Sequence, residues 1–118
     1  MTDRFIREGR EEGVRILALM LPEQLESAEF DDLNEAVRRA IDGQPGASWV
    51  IDLTGVDYMG STVLGLMVNI RQSVKLAGGR LALCGMSDRL TAVFRACSLQ
   101  NLFTICATRP QAIRHLRD

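Results

Sequence analysis

The sequence predicts a single α/β domain: a mainly parallel central sheet, an antiparallel strand at its N-terminal edge and about four helices. Three observations carry this. Short apolar runs of strand type alternate with apolar stripes at helical spacing along almost the whole chain. The length, 118 residues, suits one compact domain with one core. No low-complexity or Pro/Gly-rich stretch is long enough to divide it, so one domain is expected over residues 1–118.

Each element has its own signal. Residues 4–10 and 14–21 read as strands joined by Glu11-Glu12-Gly13. So short a connection makes a hairpin and sets the first strand antiparallel to the second. The second run, VRILALML, is nearly continuous in apolar character, as burial on both faces requires. Phe30, Leu33, Val37 and Ile41 then recur at steps of three and four, with Glu35, Arg38 and Arg39 off the stripe, which predicts an amphipathic helix. Ser27 or Asp31 caps its start, and Gly43 followed by Pro45 stops it. Trp49 to Leu53 (WVIDL) is a short buried-type strand. Val63, Leu66, Met67, Ile70 and Val74 form a second helical stripe, ended by Gly78-Gly79. Leu81 to Cys84 reads as a strand. Ser87 caps a third helix carrying Leu90, Val93, Phe94 and Cys97 on one face. Phe103 to Cys106 is a last short strand, and Thr108 caps a final helix with Pro110 in its first turn.

Charge and composition narrow the function. With 14 Lys plus Arg against 15 Asp plus Glu, the chain lacks the basic excess that neutralises nucleic-acid phosphates. Its aromatic content of 5% leaves few surfaces on which bases could stack. The longest apolar run, Ile16 to Leu21, has six residues, far below the roughly 18 that a membrane-spanning helix needs. The N-terminal stretch MTDRFIREGREEG is charged and has no signal-peptide core, so a cytosolic location is expected. Arg4, Arg7 and Arg10 recur near that end, but Glu8, Glu11 and Glu12 interleave with them, as on a solvated mixed surface. Cys84, Cys97 and Cys106 have no C-x-x-C spacing and lie in apolar or small-residue contexts, which predicts buried reduced thiols. The single histidine, His115, stands at the chain end, so neither a metal site nor a Ser/His/Asp triad is expected.

In open α/β sheets, ligands gather beyond the C-terminal ends of the strands. That points to Thr54-Gly55-Val56-Asp57-Tyr58-Met59-Gly60-Ser61-Thr62, between the WVIDL strand and the second helix. Two hydroxyls meet a helix start there, where free N–H groups and the positive dipole end favour a phosphoryl group. The same residues also read as plain structure, with Ser61 the N-cap and Thr62 the first helical residue. The segment lacks G-x-x-x-x-G-K-[ST], and the only lysine, Lys75, lies a dozen residues downstream. Leu64 and Val68 flank the buried stripe beside Arg71 and Lys75, while Gly65, Asn69 and Gln72 share the opposite arc with Ser61 and Thr62. Leu64 and Val68 either form a docking edge or complete internal packing. Gly65 admits close approach of a partner backbone or of another element of the chain. Asp52 is expected to hydrogen-bond the following turn and Asp57 to sit in a solvated loop. They are not spaced as a catalytic pair, so binding rather than catalysis is expected.

The stretch VIDLTGVDYMGSTVLGLMV resembles the signature of the STAS domain, the module shared by anti-sigma factor antagonists and the tails of sulfate transporters. In that family a buried strand ending in D-L-S or similar leads through an aromatic or apolar pair to a D-S-S-G-L-G-type helix start. Asp52-Leu53-Thr54 corresponds to the strand end, Tyr58-Met59 to the pair, and Gly60-Ser61-Thr62-Val63-Leu64-Gly65 to the helix start. The likeness continues through AGGRLALCGMSDRLTAVFRACSLQNLFTICAT and covers nearly the whole chain. It implies a STAS-type fold and places the family's phosphoacceptor on Thr62, with Ser61 as the alternative. The implied partner-binding residues are Tyr58, Met59, Gly60, Ser61, Leu64, Gly65 and Val68. Gly60 stands where many antagonists have aspartate, and Val63 where they have glycine; both alter what a kinase would meet.

The resemblance also implies partner switching. The unmodified domain docks on an anti-sigma factor, often a serine/threonine kinase of the GHKL type, and so frees a sigma factor. The kinase then phosphorylates the antagonist, and a PP2C-type phosphatase resets it. No cofactor is implied. Three other roles stand beside this one: a STAS subunit docked on the ATPase of a lipid-transport ABC complex, a scaffold subunit of a stress-signalling assembly, and a weak nucleotide-binding or hydrolysing domain holding phosphate at Gly60 to Thr62.

Overall fold

The computed structural model describes residues 4–117. The two ends of the expected 1–118 domain, residues 1–3 and 118, lie outside the described residues. Within them the order is β1 (Ile6–Glu11), β2 (Val14–Leu21), α1 (Ser27–Asp42), β3 (Trp49–Val56), α2 (Ser61–Leu76), β4 (Leu81–Cys84), α3 (Asp88–Ala96), β5 (Thr104–Cys106) and α4 (Arg109–Arg117). The strands form one sheet in the order β1-β2-β3-β4-β5, with β1 antiparallel to β2 and every other pair parallel. This is the expected α/β architecture.

The hairpin is tighter than the sequence reading has it. Glu11 pairs with Val14 inside the ladder, leaving Glu12 (φ 53°) and Gly13 (φ 82°) as the turn. Positive φ at both central residues is the type I′ pattern, whose twist suits joined strands. Outward from Ile6, β1 is exposed and charged, which blunts that edge of the sheet against pairing with other chains.

Alternating residues send the sheet's apolar side chains to two unequal layers. Leu17, Leu19, Trp49, Ile51, Leu53 and Leu83 join the buried stripes of α1, α2 and α3 in the main core. The opposite face places Val14, Ile16, Val50, Ala82 and Cys84 under Ala112, Ile113 and Leu116 of α4. That explains the unbroken apolar run of β2, since both of its faces are covered.

Three boundaries differ from expectation. β3 continues three residues past Leu53, so Thr54 to Val56 belong to the strand and not to the connecting loop. Between Ala18↔Asp52 and Met20↔Gly55 the partners advance two residues on β2 and three on β3, a bulge with one extra residue in β3. α1 is capped by neither Ser27 nor Asp31. Glu26 is the N-cap, and its backbone N–H donates to Glu29 Oε1 at 3.0 Å in a capping-box arrangement. Cys97 is exposed at the C-cap of α3 and does not share the buried face. The chain turns at Ser98 (φ 58°), and the Leu99 N–H returns to the Phe94 carbonyl at 2.8 Å, so Leu99 reaches the core instead. The other two thiols are more enclosed, Cys84 buried and Cys106 half-buried. The Ser87 and Thr108 caps form as expected, accepting from Leu90 N at 3.0 Å and Gln111 N at 3.3 Å.

Candidate functional site

The site is built where β3 hands over to α2. Asp52 fixes the strand end. Its Oδ1 accepts from the Thr54 backbone N–H at 2.9 Å and the Thr54 hydroxyl at 2.6 Å, which satisfies the amide displaced by the bulge. Its Oδ2 pairs with Arg109 at 2.9 Å, and the same guanidinium reaches Glu11 at 2.7 Å. Burial pushes the Asp52 carboxyl upward, but the Thr54 bonds and the Arg109 charge outweigh it, and the net shift is downward. Gly85, at φ +74°, lies against this knot, where a Cβ would run into Thr54 Oγ1. The neighbouring Cys84 thiol is pushed up to about 12, chiefly by burial and then by the Asp52 charge, so it stays protonated at neutral pH.

Beyond Val56 the loop divides into exposed and buried parts. Asp57 and Tyr58 are exposed, whereas Met59 is only 1% exposed and belongs to the main core. Met59, expected among the partner-facing residues, therefore anchors the loop from within. Gly60 is the N-cap of α2, and its carbonyl accepts from Leu64 N at 3.0 Å. Ser61 is thus the first helical residue and Thr62 the second, which removes the reading of Ser61 as a cap. Both are exposed, and among the described residues neither hydroxyl has a hydrogen-bond partner. Leu64 is 8% exposed and completes the core, so it is a packing residue and not a docking edge. Val68 is half-buried. Gly65 is exposed with nothing within 4 Å of the place a Cβ would occupy, so no element of this chain requires a glycine there.

A groove of about 490 Å³ opens beside the two hydroxyls. Tyr58, Gly60, Ser61 and Thr62 form one wall; Leu21 to Leu25, with Phe30 and Asp31 of α1, form the other. The second wall escaped sequence reasoning. Its signal lies in the topology: helices following parallel strands start at the same sheet edge, so the α1 entrance must stand beside the α2 entrance. A third element closes the rim. Arg89, in the first turn of α3, pairs with Asp57 at 2.9 Å and with Glu23, and its guanidinium lies 4.9 Å from the Tyr58 ring centre. Hydrogen bonds to Glu23, then to Asp57, raise the Arg89 pKa further above its ordinary value. Among the described residues no group of three or more His, Cys, Asp or Glu side chains is arranged to hold a metal ion, and no helix is long and apolar enough to cross a membrane.

Comparison with known proteins agrees with this fold. The STAS domain family profile matches residues 10–112. The anti-sigma-B factor antagonist of Listeria monocytogenes is 42% identical over 55 residues, 47% of this chain and 48% of that protein. The chain thus spans about half the length of the curated relatives it matches. An anti-sigma factor antagonist (STAS) domain protein from Planctomyces limnophilus superposes with a TM-score of 0.83 at 23% identity, covering 96% of this chain and 98% of that one. The Bacillus cell fate determinant SpoIIAA in its phosphorylated form superposes at 0.64 with 18% identity, over 93% and 97% of the two chains. These two are likenesses of fold. With the profile spanning most of the sequence and the same sheet recovered in solved members, the chain belongs to the STAS domain family.

Proposed function

We propose that this protein is an anti-sigma factor antagonist that works by binding, with Thr62 as its switch and Ser61 as the alternative acceptor. The observation that carries the reading is the pair of exposed, uncapped hydroxyls on the first helical turn of α2, beside an open groove. In the unmodified state the surface of Tyr58, Gly60, Ser61, Thr62, Gly65 and Val68 docks an anti-sigma factor, a GHKL-type kinase acting in the cytoplasm. Docking occupies the kinase and frees its sigma factor. The names of the Listeria relative and of the Planctomyces structure support an anti-sigma factor as the partner.

Phosphorylation reverses the docking. The Thr62 oxygen takes the γ-phosphoryl group of the kinase's ATP, the Pβ–O–Pγ bridge breaks, the hydroxyl proton leaves and ADP departs. The product carries an extra charge of about −1.5 to −2 on a surface that must desolvate to bind. A thousandfold loss of affinity corresponds to about 4 kcal/mol, a modest demand on one dianion in an interface. A PP2C-type phosphatase hydrolyses the ester and restores the first state.

The test is capture from the native cytosol by wild-type protein, Thr62→Ala and Thr62→Glu, with mass spectrometry of partners and of phosphosites. Wild type and Thr62→Ala are expected to retain a GHKL kinase that Thr62→Glu does not. Equal capture of one ATPase by all three proteins would remove Thr62 from the switch.

A further inference from the structure

The groove beside Thr62 poses a charge problem for its own modification. Its charged lining consists of two carboxylates, Glu23 and Asp31, and none of its lining residues is Lys, Arg or His. A phosphoryl group arriving there brings a near-dianion and three acceptor oxygens into an acidic surrounding. The positive end of α2 offsets part of that charge, but its effect falls off within the first turn. A side-chain cation able to offset the rest stands at the rim. Arg89 contacts two of the lining residues, Glu23 by an ion pair and Tyr58 by its ring.

Arg89 is held there by exchangeable bonds. Its partners Glu23 and Asp57 are more than half exposed, as is its own side chain. Exposed carboxylate pairs of this kind contribute little net free energy and re-form readily. A phosphate monoester is a better partner for the same group, because its oxygens match the guanidinium fork and carry more charge than one carboxylate. α3 is held in place by its N-cap Ser87, which also donates to the Asp57 carbonyl, and by its buried Leu90 and Phe94, while Arg89 is exposed.

We propose that Arg89 is the intramolecular ligand of a phosphoryl group on Thr62, exchanging Glu23 and Asp57 for the phosphate when the switch is set. This deepens the phosphorylation reading and rests on it. Its consequence is structural as well as electrostatic. Release of Glu23 frees the loop between β2 and α1 from its ion pair with α3, and release of Asp57 leaves the loop before α2 held to α3 by the Ser87 hydroxyl on the Asp57 carbonyl, at 3.4 Å. One modification thereby changes both walls of the groove.

The experiment uses the full chain with phosphothreonine installed at position 62 during translation, so no kinase is needed. The phosphate's second ionisation is followed by 31P NMR against pH in the Arg89 protein, Arg89→Gln and Arg89→Lys. The wild-type phosphate is expected to ionise about half a pH unit or more lower than in Arg89→Gln, with Arg89→Lys between them because lysine keeps the charge but not the fork. The Arg89 Nε resonance is expected to move on phosphorylation. The α2 dipole acts equally in all three proteins and cancels in the comparison. Coincident titration curves in wild type and Arg89→Gln, both folded by circular dichroism, would overturn the assignment. Failure of the capture experiment would overturn the switch and leave a measured Arg89 difference standing; coincident curves with successful capture would do the reverse.

Discussion

Asp52 gives its two carboxylate oxygens different tasks, and the strand end depends on both. One oxygen closes the bulge by binding Thr54, and the other holds Arg109, the first residue of α4. Asn in its place keeps an acceptor for Thr54 but surrenders the ion pair. Arg109 is about one-third exposed, so solvent screens part of that pair. Asp52→Asn is therefore expected to cost about 1–2 kcal/mol at pH 7, read from the urea midpoint. The pH dependence has a definite sign. The folded-state pKa of Asp52 lies below its ordinary value, so the ionised group stabilises the fold above about pH 4. That contribution fades as pH falls from there through the folded-state pKa. Wild type and Asp52→Asn should then converge in stability toward pH 3 or below; a constant gap down to pH 2 would show that the charge is not what the fold uses.

Helix α2 shows what a sequence pattern can and cannot carry. The stripe Val63, Leu66, Met67, Ile70 and Val74 is buried as its spacing predicts, because a 3.6-residue period leaves one face inward whatever surrounds it. How wide that face is depends on neighbours, and there the pattern is silent. Leu64 falls inside because the core extends past the stripe, while Val68, one turn on, stays half out. The end of β3 was illegible for a similar reason: the bulge answers to the pairing with β2, a contact between residues more than thirty apart in sequence. The groove's second wall and Arg89 come from two separate segments, and only the completed sheet brings them to the groove that Thr62 lines. Gly65 offers a test at the scale of the element. With open space around it, Gly65→Ala should stabilise the protein by about 0.5–1 kcal/mol through helix propensity alone. If a partner backbone approaches this turn, the same methyl weakens docking while the fold gains. A variant that gains stability and binds as wild type would place the contact elsewhere on the helix.

At the scale of the molecule, the two sides of the sheet are unequally protected. Three helices cover one face and α4 alone covers the other, through Ala112, Ile113 and Leu116. α4 also carries Arg109, so the helix that shields the second face is tied by ion pairs to Asp52 in β3 and to Glu11 in β1. The proposed docking surface lies on α2 and the loop before it, in the three-helix layer, and does not use that shield. Stability and switching should therefore separate. Ile113, 2% exposed, fills the small core with few neighbours able to collapse into a void. Ile113→Ala is expected to cost about 2–4 kcal/mol, a large share of the 5–15 kcal/mol that holds a domain of this size. Thr62→Glu adds a charge at an exposed helix start, where the dipole favours it, and should leave the urea midpoint within about 0.5 kcal/mol of wild type. The decisive comparison is partner capture below the Ile113→Ala unfolding midpoint. Retention of the partner by folded Ile113→Ala, together with its loss by Thr62→Glu, which is as stable as wild type, would mean that the switch acts at the surface of α2; loss by both would mean that docking reads the packing of the whole sheet.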